Sequence, residues 1–151
     1  MMPFQKELTN FESIQNFVDS SKGEFDEVLT NFYYNLGKDL GFEVKKDFPF
    51  SFNGTRMPNL SLAWLDNNEL LTALEVSFSS KDKILSSLLK LNSCKSEYSI
   101  LIFSSKVFLD GLDGLQNILD EFKSIKSDFL LIDISDEDFL FISKSQPKGL
   151  I

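Results

Sequence analysis

Three consecutive stretches decide the fold: Arg56-Met57-Pro58-Asn59-Leu60-Ser61-Leu62-Ala63-Trp64-Leu65, then Asp66-Asn67-Asn68-Glu69, then Leu70-Leu71-Thr72-Ala73-Leu74-Glu75-Val76-Ser77-Phe78. Two apolar runs of strand length are parted by four turn-forming residues, so 57–65 and 70–78 read as antiparallel strands joined by a tight connection. The second run is apolar enough to be buried on both faces. Within it stands Glu75, a carboxylate with no obvious structural reason to be there, since such groups are rarely buried unpaired. Period two puts Asn59, Ser61 and Ala63 on one face of the first strand, and Leu71, Ala73, Glu75 and Ser77 on one face of the second. With the 66–69 turn setting the pairing, Asn59 and Glu75 fall near the strand ends away from that turn.

Working outward, Phe42, Val44, Phe48, Phe50 and Phe52 alternate with Glu43, Lys45, Asp47 and Ser51 and predict a strand over 42–52, closed by the hairpin turn Asn53-Gly54. Upstream, Phe11, Ile14, Phe17 and Val18 mark a helix over about 9–20. Phe25, Val28, Leu29, Phe32, Leu36 and Leu40 mark a second, which Gly41 ends. Downstream, Ser79 or Ser80 caps a helix over 82–92 whose apolar face is Ile84, Leu85, Leu88 and Leu91. A strand at 98–103, a helix at 112–125 and short strands at 129–134 and 139–142 follow. The order α-α-β-β-β-α-β-α-β-β predicts an α/β fold with a mixed sheet flanked by helices. A single domain is expected over 1–151, with 1–22 as an N-terminal helical extension and 143–151 as a loose tail.

Composition removes several function classes. The 151 residues include one cysteine and no histidine, so no internal disulfide, no zinc site of the usual ligand set and no Ser-His or Cys-His catalytic pair can be built. No apolar run approaches the roughly 18 residues of a membrane span, and the first residues lack the apolar core of a secretory signal. A soluble, cytoplasmic protein without a membrane partner is expected. The formal charge of −8 argues against a sequence-blind nucleic-acid binder, whose affinity comes from Lys and Arg on phosphates. Charge is nevertheless segregated. Lys45, Lys46, Arg56, Lys81, Lys83, Lys90 and Lys95 lie in the middle third, whereas Asp110, Asp113, Asp120, Glu121, Asp128, Asp133, Asp136, Glu137 and Asp138 crowd the last.

From Gly23 to about Ser104 the chain resembles the PD-(D/E)XK nuclease superfamily, which includes restriction enzymes, Holliday junction resolvases and repair nucleases. The resemblance rests on a helix carrying an acid, Gly41-Phe42-Glu43-Val44 opening the first strand, Pro58-Asn59 for Pro-Asp, Glu75-Val76-Ser77 for Glu-X-Lys, and a helix ending in Lys90-Leu91 before a strand rich in Ile and Leu. The order α-β-β-β-α-β matches the core of that family. The resemblance implies a restriction endonuclease-like sheet and a Mg²⁺ site. It also implies that Glu75 is a metal ligand, that Asn59 stands for the principal metal-binding Asp, and that Ser77 stands for the lysine that assists the attacking water. Glu24 or Glu27, with Glu24 preferred, would be the accessory helical acid. Lys81 would be a lysine moved to the following helix, since Lys83 is turned away from the sheet.

The motif departs from the family at two positions. Asn59 offers a neutral carbonyl oxygen where a carboxylate would bind a divalent ion, and Ser77 supplies no positive charge. Each residue also has a plain structural reading: Asn59 as a strand-end hydrogen-bonding group, Lys81 as a solvated helix start, Glu24 as a favourable charge at a helix N-terminus, Arg56 as an exposed residue after a turn. Asp133, Asp136, Glu137 and Asp138 lack the spacing and glycine of a calcium loop and read as a solvated hairpin turn. Three functions follow. The first is a nuclease-like domain with an altered, weak or inactive site, binding DNA, a protein partner or a second copy of itself. The second is a working Mg²⁺-dependent DNA endonuclease using Glu75, Glu24, Asn59 and Lys81. The third is an unrelated interaction module whose acidic last third binds a basic protein.

Overall fold

The two strands expected around the 66–69 turn pair antiparallel, with Leu62 opposite Leu74 and Ala63 opposite Ala73. Both turn asparagines adopt left-handed backbone, φ 52° at Asn67 and 65° at Asn68, as a tight two-residue connection requires. The computed structural model describes residues 2–144. Along them lie α1 (Gln5–Leu8), α2 (Phe11–Asp19), α3 (Phe25–Asp39), β1 (Glu43–Phe48), β2 (Ser51–Phe52), β3 (Thr55–Arg56), β4 (Leu60–Asp66) and β5 (Glu69–Val76). The chain continues through α4 (Lys81–Ser93), β6 (Tyr98–Phe103), α5 (Gly111–Asp120), β7 (Asp128–Asp133) and β8 (Asp138–Ile142).

Six strands form one mixed sheet in the order β1-β4-β5-β6-β7-β8, with β2 and β3 a separate ribbon. The pairs β1/β4, β4/β5 and β7/β8 are antiparallel, while β5/β6 and β6/β7 are parallel, each parallel step being made through a helix. This is the α/β class with helices flanking a mixed sheet. The strand expected over 42–52 is instead broken in two. Asp47 takes a left-handed φ of 50° and Pro49 has no N–H to donate, so pairing with β4 stops at Phe48. Beyond the break, Asn53-Gly54 turns the small ribbon as predicted, with φ 49° and 78°.

Two apolar layers cover the sheet. On one face Leu29 and Tyr33 of α3, with Leu8 and Ile14, pack on Leu62, Trp64, Leu74, Ile100, Ile102, Leu130 and Ile132. The N-terminal extension is thus part of the core. Tyr33 is fully buried, and its hydroxyl donates to the Leu8 carbonyl at 3.0 Å, which fixes α1 on α3. On the other face Ile84, Leu88 and Leu91 of α4 and Leu115 and Leu119 of α5 pack on Ala73, Leu101, Phe103, Phe129 and Leu131. Helix α4 begins at Ser80, whose hydroxyl accepts from the Lys83 N–H at 3.1 Å, so Ser80 rather than Ser79 is the cap. No helix among the described residues is long and apolar enough to cross a membrane. Of the expected tail, 145–151 lies outside the described residues.

Candidate functional site

Glu75 lies near the end of β5, a central strand, and shares the period of Ala73, so its side chain enters the layer under α4. It is 2% exposed. Burial of a carboxylate is costly unless both oxygens are engaged, and both are. Oε2 accepts from the Ser61 N–H at 2.6 Å, and Oε1 accepts from the Lys90 ammonium at 2.7 Å. Lys90 comes from the last turn of α4 and also donates to the Asn59 main-chain carbonyl at 2.9 Å. The three groups form one brace. It ties α4 to β5 and to the entrance of β4, where the β4/β5 ladder has stopped short of Ser61.

The residues expected to build a metal centre are only partly brought together. Asn59 lies beside the brace through its main chain, while its side chain is turned outward, and its Oδ1 accepts from Arg56 Nη2 at 3.4 Å. Glu24 starts α3, which packs on the opposite face of the sheet from Glu75, and opens on a cleft lined also by Lys46, Asp47 and Ser61. Glu27 is exposed on the same helix. Ser77 is buried, and its N–H continues the ladder to the Ile102 carbonyl at 2.9 Å. Lys81 does not reach Glu75. Its ammonium sits 5.8 Å from the centre of the Phe108 ring, at the other end of α4 from Lys90. Lys83 is exposed.

The donor set therefore does not suit the Mg²⁺ that the resemblance implies. Such an ion takes oxygen ligands, mainly carboxylates and waters, in near-octahedral array. Glu75 already spends one oxygen on an ammonium and one on an amide, the Asn59 carboxamide points to Arg56, and Glu24 is across the sheet. Among the described residues no group of three His, Cys, Asp or Glu is placed to hold a metal.

Three residues of consequence escaped the sequence reading. Lys90 was visible only as part of the helix-end pair Lys90-Leu91 and as one of the basic residues of the middle third, not as the partner of Glu75. Which lysine of α4 meets Glu75 depends on the angle at which the helix crosses the sheet, and periodicity does not supply that angle. Cys94 caps the same helix and is 1% exposed. Burial first, and then the negative charge of Glu75, push its thiol up to about 11. Its thiolate is accordingly scarce below that pH and gains tenfold per pH unit. Alkylation of native Cys94 at pH 8 should run at least roughly a hundredfold slower than that of a free thiol, and catch up on unfolding. Rapid native labelling by iodoacetamide would contradict this placement.

The third is Asp133, at the end of β7. It is not part of a solvated turn, being 2% exposed, although Asp136, Glu137 and Asp138 beyond it are exposed as expected. Its Oδ1 accepts from the Ser105 N–H at 3.0 Å, the Ser135 N–H at 3.2 Å and the Ser135 hydroxyl at 2.8 Å. The ends of β6 and β7 are thereby stitched together. Its signal in the sequence was an acid closing the fully apolar run Phe129-Leu130-Leu131-Ile132. No protein-family model, curated protein or solved structure matches this chain.

Proposed function

We propose that this chain is a nuclease-like α/β domain with a non-catalytic site, and that it acts as a binding subunit. One observation carries the reading: the carboxylate at the position of the family's metal ligand is closed into an ion pair with Lys90 and a hydrogen bond with Ser61. Phosphodiester cleavage by a metal-dependent nuclease needs an ion that activates water and charge that stabilises the leaving phosphate oxygens. Freeing Glu75 for that work would strand the Lys90 ammonium, whose side chain is only 16% exposed, without its counter-ion. The topology is consistent with the resemblance, and fold alone does not imply activity. The net charge of −8 favours a protein partner over DNA held by general electrostatics.

The test is incubation of the protein with duplex, branched and single-stranded DNA in Mg²⁺ or Mn²⁺. No cleavage above background is expected, from the unmodified chain or from Glu75→Gln, which keeps the side chain's shape and one of its two accepting oxygens. Cutting at an ordinary enzymatic rate by the unmodified protein, abolished in a folded Glu75→Gln variant, would establish the endonuclease reading instead.

A further inference from the structure

A second surface, at the far edge of the sheet from β1, has the features of a docking site. Between the start of α5 and the β7–β8 hairpin lies a cleft of about 390 Å³. Its apolar lining is Leu109, Leu112, Phe139 and Leu140. Leu109 is 83% exposed and Phe139 38%, so two large apolar side chains that line this one cleft face solvent. The rest of the wall is acidic: Asp110, Asp113, Asp133, Asp136 and Asp138. None of these five carboxylates forms a salt bridge with a described residue, and no lysine or arginine among the described residues lines the cleft. Lys81 lines only the adjoining hollow, with Asp110 and Asp113.

Asp133 distinguishes this cleft from an ordinary acidic surface. While Oδ1 takes three hydrogen bonds, Oδ2 accepts none from a described residue, although the side chain is 2% exposed and lines the cleft. Oδ2 is not sealed in the interior, so it stays an open acceptor at the cleft wall, and a cationic group entering the cleft would form a charge-assisted hydrogen bond with it. The first turn of α5 opposes a cation with about half a positive charge, which five carboxylates outweigh. The strand bordering the cleft, β8, is also the last of the sheet, and its outer main-chain groups pair with no strand among the described residues.

We propose that this cleft docks a basic segment of a protein partner, with an arginine or lysine entering beside Asp133 and a neighbouring apolar side chain covering Leu109 and Phe139. Charge complementarity selects the partner, and the exposed apolar pair requires more than charge from it. The inference rests on the reading of the chain as a binding subunit and names the surface it binds with.

The experiment titrates ¹⁵N-labelled full-length chain with three peptides of equal length: alternating arginine and leucine, arginine alone, and alternating glutamate and leucine. The arginine–leucine peptide should shift the amides of 109–112 and 138–140 and bind best, and the glutamate peptide should not bind. Leu109→Ser, at an exposed position that should leave folding intact, should weaken the arginine–leucine peptide about tenfold and the all-arginine peptide little. Asp136→Asn with Asp138→Asn should weaken both. The proposal is overturned if shifts fall elsewhere, or if Leu109→Ser changes nothing. It is equally overturned if the same amides move with protein concentration alone, which would make the occupant a second copy of the chain. Failure here leaves the non-catalytic reading intact, since that is decided by DNA cleavage; cleavage by a chain that still binds the peptide would remove only that reading.

Discussion

Lys90→Met should cost about 3–5 kcal/mol of stability, because it leaves the Glu75 carboxylate buried with an amide as its remaining partner. In a chain of this length that corresponds to a fall in melting temperature of roughly 6–20 °C. The loss comes from stranding a charge, and this separates it from loss of packing, since methionine keeps most of the lysine stem's apolar surface. The decisive comparison is Glu75→Leu with Lys90→Met. Removing both charges removes the desolvation penalty with the attraction, so the double variant should be much closer to the parent than Lys90→Met alone. Thermal and urea unfolding of the four proteins measure the coupling. Additive losses would mean that the brace contributes little and that Glu75 is held by something else.

Gly37→Ala should be the second large effect, although alanine is the better helix former. Gly37 is buried in α3 under the indole of Trp64, and a methyl group there would meet Trp64 Nε1 at 2.4 Å and both Cδ1 and Cε2 at 2.7 Å. Trp64 is fully buried and stacked on Phe42 with ring centres 5.7 Å apart, so the ring has nowhere to move. Overpacking of this kind costs about 1–3 kcal/mol, and contacts this short belong at the upper end. Helix propensity returns at most about 1 kcal/mol, so the net change is destabilising by about 2 kcal/mol. In a Trp64→Leu background the same substitution should cost far less, because the obstructing ring is gone. An equal cost in both backgrounds would sink this account.

Much of the fold was legible because it depends on local rules. The turn cluster at 66–69, the Asn53-Gly54 hairpin, the serine cap of α4 and the apolar run at 98–103 each specify their element within a few residues. The broken first strand was less legible. Alternating Phe42, Val44 and Phe48 carried the period of a strand straight through Asp47 and Pro49, whose backbone limits override that period. In the candidate site, Glu75 was legible as an anomaly and its partner was not. An unexplained acid in an apolar run shows from composition alone, whereas its counter-ion comes from another element 15 positions away.

By itself, then, the sequence determined the kind and order of most of the elements, the buried faces of the helices, and the presence of a carboxylate requiring a partner. Those properties follow from side-chain periodicity, turn chemistry and desolvation, which act along the chain. Only the tertiary structure decided that Lys90 rather than Lys81 meets Glu75, that Glu24 lies across the sheet, and that five aspartates gather beside Leu109 and Phe139. These outcomes turn on the angle of α4 across the sheet and on which helix covers which face. Such quantities are fixed by packing between elements, to which a one-dimensional pattern contributes only indirectly.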